Sequence, residues 1–131
     1  MAHVRALRVP GLMEPISHFS DAVIGGRTLY VSGLVATNEA GEVVGAGDVV
    51  EQTRQIFRNL KRILEAAGAT PADVVKVTIF MRDVAQRPLI NPIRQEFFGP
   101  HRPASTLVEV SRLVLDEYLL EIEAVAQLPD A

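Results

Sequence analysis

Residues 49–67 constrain the fold more than any other stretch of this chain. Val49, Thr53, Ile56, Phe57, Leu60, Ile63, Leu64 and Ala67 recur at steps of three and four residues. Such steps place them on one stripe of an α-helix. Asp48 suits an N-cap, Glu51 stands three residues on in a capping-box pattern, and Gly68 falls where a C′ glycine ends a helix. Arg54, Arg58, Lys61 and Arg62 lie mostly off the stripe, which predicts a solvated face. Burying each large aliphatic or Phe side chain of the stripe is worth roughly 1.5–3 kcal/mol. A helix of this kind therefore needs a sheet to pack on.

Residues 73–81 are the expected receiver. Val74-Val75-Lys76-Val77-Thr78-Ile79-Phe80-Met81 reads as a strand apolar on both faces, hence central in its sheet. Upstream, residues 4–9 read as a short strand ended by Pro10-Gly11. The runs around Ala22-Val23-Ile24 and Thr28 to Val35, parted by Gly25-Gly26, read as a hairpin. Residues 38–42 read as a turn, and Gly45-Ala46-Gly47 as a loop, since Val50 breaks any phosphate-cradling glycine pattern. Residues 85–98 predict a second helix, with Asn91 as a cap and Pro92 at the first helical position. Two alternating strands, 105–110 and 118–126, close the chain.

This order predicts one α+β domain over residues 1–131, a two-layer arrangement of a mixed sheet with two helices packed on one face. The helices cover only one face, yet several strands look apolar on both. The uncovered face is therefore expected to meet another subunit.

Composition narrows the function. Thirteen Lys and Arg against sixteen Asp and Glu give a net charge of −3, which disfavours nucleic acid as a partner. No apolar run reaches the ~18–20 residues of a membrane span, and the start does not read as a secretory signal. The absence of Cys removes disulfides and thiolate chemistry and fits a cytoplasmic setting. His3, His18 and His101 are scattered, so no metal site is expected from sequence neighbours.

Glu121 and Glu123 share one face of the last strand, with Cα atoms about 6.5–7 Å apart. Like charges held close raise one pKa and suit acid–base work, while the spacing fits better a pair that faces solvent or answers Arg residues across an interface. His18 and His101 sit in loops before strands and are candidate bases or ordinary surface residues. Ser32-Gly33 ends an apolar strand; a glycine there admits a ligand close to the backbone, or marks a bulge.

Taken together, several motifs resemble the Rid (reactive intermediate deaminase, or YjgF) family. They are Val31-Ser32-Gly33, Gln52-Thr53, Asn59-Leu60-Lys61, Leu64-Glu65-Ala66-Ala67-Gly68, the 73–80 run, Asn91, Phe97-Phe98, Pro103-Ala104 and Glu121 to Ala126. The resemblance spans about residues 16–126. It implies a chorismate-mutase-like fold and a homotrimer with small-molecule clefts between subunits. It also implies hydrolysis of enamines and imines without metal or organic cofactor. In that pattern a Glu of the last strand positions water, backbone at the Ser-Gly turn lines the cleft, an Arg after Pro-Ala grips the substrate carboxylate, and a Tyr closes over the ligand.

On this chain the resemblance makes Glu121 the catalytic residue and Ser32, Gly33, Phe19, Asn91, Ser105 and His18 the substrate-binding set. Ser32, Gly33, Asn91 and Glu121 match the pattern. Ser105 stands in place of the Arg, and Phe19, after His18, in place of the Tyr. Arg102 lies three residues from Ser105, on the opposite face of the strand if the strand already runs there. Two readings stay open. One is a Rid-like hydrolase with altered substrate preference, in which His18 or His101 supplies proton transfer. The other is a non-catalytic trimeric binding or assembly protein of the same fold. Chorismate mutase chemistry is a weaker third, because it wants cations around a dianion and Ser105 withdraws one.

Overall fold

Side-chain alternation decides which face of each strand meets the helices, and the computed structural model, which describes residues 3–129, follows it closely. β1 (Val4–Leu7), β2 (Ala22–Gly25) and β3 (Thr28–Leu34) form an antiparallel meander. α1 (Val49–Ala66) leads to β4 (Val74–Met81); α2 (Arg87–Phe98) then crosses to β5 (Ala104–Glu109), which runs parallel to β4. β6 (Leu120–Gln127) returns to the centre, antiparallel to both β3 and β4. The sheet order is β1-β2-β3-β6-β4-β5. Among the described residues this is a mixed six-stranded sheet with two α-helices, the expected α+β architecture.

The core lies between the sheet and the helices. Leu29 and Val31 of β3, Val77, Ile79 and Met81 of β4, and Leu120, Ile122, Ala124 and Ala126 of β6 point into it and are buried. They receive Ile56, Leu60, Ile63 and Leu64 of α1 and Ile90 and Ile93 of α2. Phe97 of α2 stacks on Phe57 of α1 with ring centroids 4.6 Å apart. The opposite face carries Tyr30, Lys76, Thr78, Phe80, Thr106, Val108, Glu121, Glu123 and Val125, and no element among the described residues covers it. It is more polar than expected: between the half-buried Phe80 and the exposed Val75, β4 presents Lys76 and Thr78 outward.

The capping of α1 is half as expected. Asp48 Oδ1 accepts from the Val50 and Glu51 amides at 3.1 and 3.2 Å. Glu51 turns to Arg54 at 3.5 Å and does not complete a capping box. Gly68 takes φ +76° and closes the helix, with the Ala69 amide donating to the Leu64 carbonyl at 2.8 Å.

Three expected boundaries are corrected. β1 stops at Leu7, because the Val9 amide leaves the ladder and donates to the buried Asp21 carboxylate at 2.7 Å. β6 begins at Leu120, since Tyr118 still belongs to a turn in which its amide donates to the Leu115 carbonyl. Asn91 does not cap α2. A short 3₁₀ turn, Val84–Gln86, capped by Asp83, feeds a helix that starts at Arg87 with Pro88 in its first turn. Pro92 is interior. It removes one hydrogen bond, to the Pro88 carbonyl. Burial of Ile90 and Ile93 on either side holds the helix through that gap.

Candidate functional site

The expected site residues fall into two clusters. The first lies where β3 and β6 meet. Between Val31 and Leu34, β3 carries one residue more than its partner stretch on β6, so Ser32-Gly33 forms a β-bulge. The bulge turns Gly33 against Glu121. A Cβ on Gly33 would overlap the Glu121 carboxylate, with Cδ at 2.8 Å and Cγ at 3.1 Å. Only a glycine lets the carboxylate lie on the strand here.

Ser32 is fixed from the other side. Its amide donates to the Asp21 carbonyl at 3.1 Å and its hydroxyl to the Ser20 carbonyl at 2.6 Å. The hydroxyl therefore serves as a brace for the bulge. Phe19, 48% exposed, lines a narrow crevice of about 60 Å³ with Gly33, Leu34, Pro15 and Asp21. Phe19, Ser32, Gly33 and Glu121 are thus contiguous. His18 is exposed on the same loop and lies outside the crevice lining.

Glu121 has no hydrogen-bond or ion-pair partner among the described residues. Burial raises its pKa above the ordinary carboxyl value, and the neighbouring Glu123 charge adds to the rise. The same burial effect, with Glu117 and Glu121 nearby, raises the Tyr118 phenol. Gln52 of α1, fully buried, holds the entry to β6: its amide nitrogen donates to the Glu117 carbonyl at 2.8 Å and its oxygen accepts from the Leu119 amide at 2.9 Å. Gln52 thereby ties α1 to the strand that presents Glu121. Gln52 belongs to one of the family motifs of the sequence, but its positioning role is visible only in the tertiary contact.

Gly33→Ala is expected to turn the Glu121 side chain out over the open face while the β3–β6 pairing stays intact. The φ of Gly33 is ordinary, so alanine suits the backbone and only the carboxylate must move. A crystal structure of the variant checks this; Glu121 in its original position would refute it.

The second cluster lies at the other edge. Asn91 and Arg94 of α2, with Phe98, His101, Arg102 and Pro103, line a cleft of about 660 Å³. Ser105 belongs to it through Arg94, whose Nη2 donates to the Ser105 hydroxyl at 2.8 Å. Ser105 pairs with Val77 and so faces the helix side of the sheet, whereas Glu121 faces the open side. It also lies two strands from β6. Within one protomer the structure does not bring Ser105 or Asn91 to Glu121.

Arg102 precedes β5, so strand alternation does not set its direction; it lies in the loop lining the cleft. His101 Nε2 bonds the Val74 carbonyl at 2.7 Å, which makes that nitrogen the protonated one. The sequence does not single out Arg94. A helix start at Pro92 places it in the first turn, and nothing local marks its reach to β5.

Among the described residues no group of three or more His, Cys, Asp or Glu is placed to hold a metal ion, and no helix is long and apolar enough to cross a membrane. The sheet and its bulge-borne carboxylate define an α+β domain with an acidic site on the open face of its sheet. Residues 11–128 match the family described as endoribonuclease L-PSP. A RutC family protein of Pyrococcus horikoshii is 43% identical over 114 residues, covering 86% of this chain and 89% of that protein. A 2-iminobutanoate/2-iminopropanoate deaminase of Dermatophagoides farinae is 37% identical over 113 residues, covering 86% and 88%. The crystal structure of the E. coli YjgF gene product superposes with a TM-score of 0.85 at 34% identity, covering 94% and 98%. The chain belongs to the Rid/YjgF (endoribonuclease L-PSP) family.

Proposed function

We propose that this protein is a hydrolase of small enamines or imines, working as a homotrimer with Glu121 as its general base. The observation that carries the reading is the Glu121 carboxylate, unpartnered, raised in pKa and lying on Gly33 beside the Phe19 crevice. Raising a carboxyl above its ordinary value makes it a stronger base that still returns its proton. In the reaction, a water oxygen bonds the C=N carbon while Glu121 takes a water proton. Glu121 returns that proton to nitrogen, giving a carbinolamine; Glu121 then moves the hydroxyl proton to nitrogen as the C–N bond breaks, and ammonia leaves a carbonyl product. The name of the Dermatophagoides relative supports 2-imino acids as the substrate class. A cytoplasmic location is part of the same proposal.

The trimer is proposed because the two clusters lie apart in one protomer and the sheet's open face is uncovered. A second copy packed on that face would bring an Asn91–Arg94–Ser105 edge near a Glu121 crevice. Light scattering at micromolar concentration is expected to report three times the chain mass of 14.3 kDa. A monomer there would remove the shared cleft.

The alternative, a non-catalytic trimeric binding or assembly protein, is favoured by Ser105, which brings no charge of its own to the cleft. One assay separates the two. Imines of 2-oxobutanoate and pyruvate are generated by an amino-acid oxidase in the presence of semicarbazide. A hydrolase lowers semicarbazone formation in proportion to its concentration; no effect at substrate-equivalent protein sinks the enzyme reading.

A further inference from the structure

We propose that Arg8 and Asp21 form a clasp that sets the width of the Phe19 crevice and so selects the size of the substrate's carbon chain. Assigning that chain to an imine substrate rests on the hydrolase reading. Among the described residues Asp21 is the one charged residue that is buried, at 6% exposure, and the chemistry proposed for Glu121 does not use it. A buried carboxylate is costly unless it is paired and hydrogen-bonded. Asp21 Oδ2 accepts from the Val9 amide at 2.7 Å and from Arg8 Nη1 at 3.0 Å. Arg8 then spreads over the segment that follows it. Its Nη1 also donates to the Val9 carbonyl at 2.6 Å, its Nη2 to the Leu12 carbonyl at 2.8 Å, and its Nε to the Glu14 carboxylate at 3.0 Å. One planar guanidinium thereby fixes residues 9, 12, 14 and 21 against each other.

Both walls of the crevice depend on Asp21. Through its carboxylate and Arg8 it holds the wall formed by Leu12, Met13 and Pro15. Through its backbone carbonyl, which accepts from the Ser32 amide at 3.1 Å, it holds the bulge that sets Gly33 against Glu121. The space between the walls is about 60 Å³. That is far below the ~300–1,000 Å³ of pockets that take drug-sized ligands, so a short chain is favoured over a branched one. Val9 and Leu12 are buried in the core, and Gly11 rests on the Arg62 side chain of α1. Loss of the clasp is therefore expected to widen the crevice without unfolding the domain. Arg8 and Asp21 act as positioning residues.

The test has two readouts on the intact protein. One is amide hydrogen exchange of residues 9–14. The other is the ratio of kcat/KM for the imine of 4-methyl-2-oxopentanoate to that for the imine of pyruvate, measured in the semicarbazide assay. In Arg8→Met the ratio is expected to rise roughly tenfold, the scale on which apolar pockets discriminate between chains. Exchange of residues 9–14 is expected to quicken while β4 and β6 keep their rates. Arg8→Lys keeps a charge for Asp21 without the fork, and Asp21→Asn keeps an acceptor for Val9 without the charge; both are expected to be intermediate and carry the same readouts if Arg8→Met does not fold. Lys61→Met, which removes an exposed 4.0 Å contact to Glu65, is expected to change neither. A merely structural role would lower both substrates together and leave the ratio alone. An unchanged ratio, or unchanged exchange, in a folded Arg8→Met overturns the clasp. Wild type that hydrolyses no imine sinks the hydrolase reading and the size selection with it, while exchange of residues 9–14 still decides whether Arg8 holds the wall.

Discussion

Glu121→Gln is expected to lower kcat/KM for imine hydrolysis by roughly 10²–10⁴-fold, the range over which positioned general bases act. The amide matches the carboxylate in size and cannot take a proton from water. Because Glu121 lies against Gly33 without an ion-pair partner, the substitution breaks no salt bridge. The loss is therefore chemical and is expected in kcat. The wild-type rate should rise with pH through the raised pKa of Glu121 and then level, since the ionised form is the base. Stability should move the other way. A carboxyl whose pKa is higher folded than unfolded contributes stability that is full below the unfolded value and is lost as pH rises through the folded one. The Gln variant should accordingly melt above wild type at neutral pH, with the gap closing on acidification below the ordinary Glu range. Full activity in Glu121→Gln would remove Glu121 from the chemistry.

The sequence makes α1 legible because three independent signals agree there: the stripe, the Asp48 cap and the Gly68 stop. α2 is less legible for a physical reason. Pro92 imitates a helix start, and only the tertiary burial of Ile90 and Ile93 shows that the helix runs through it. The same contrast holds at the candidate site. Alternation in β6 places Glu121 on the face away from the helices, and a glycine at a strand end signals either a bulge or a close approach; here Gly33 is both. The second cluster is not visible in the chain order. Arg94 meets Ser105 only because α2 crosses to a strand parallel to β4, and such a contact leaves no local pattern. The two sets of site residues are readable one by one, but their separation within a protomer is a property of the sheet order.

Leu60→Ala is expected to cost about 2–5 kcal/mol of unfolding free energy, and Lys61→Ala to stay within about 0.5 kcal/mol. Leu60 is fully buried at the centre of the α1 stripe, in the layer that meets β3 and β6. Removing its isobutyl group loses burial and leaves a cavity, because helix and sheet backbones on both sides prevent collapse. Lys61 lies one residue on, with its side chain 65% exposed and a 4.0 Å contact to Glu65. Exposed pairs of that geometry are worth a few tenths of a kcal/mol. Adjacent positions in one helix share nearly the same backbone setting, so the pair isolates burial from helix propensity. Urea unfolding followed by far-UV circular dichroism reads both, at one fixed protein concentration, because assembly would add to apparent stability. Equal shifts from the two variants would mean that α1 turns a different face to the sheet, and the placement of Gln52 beneath the Glu121 strand would fall with it.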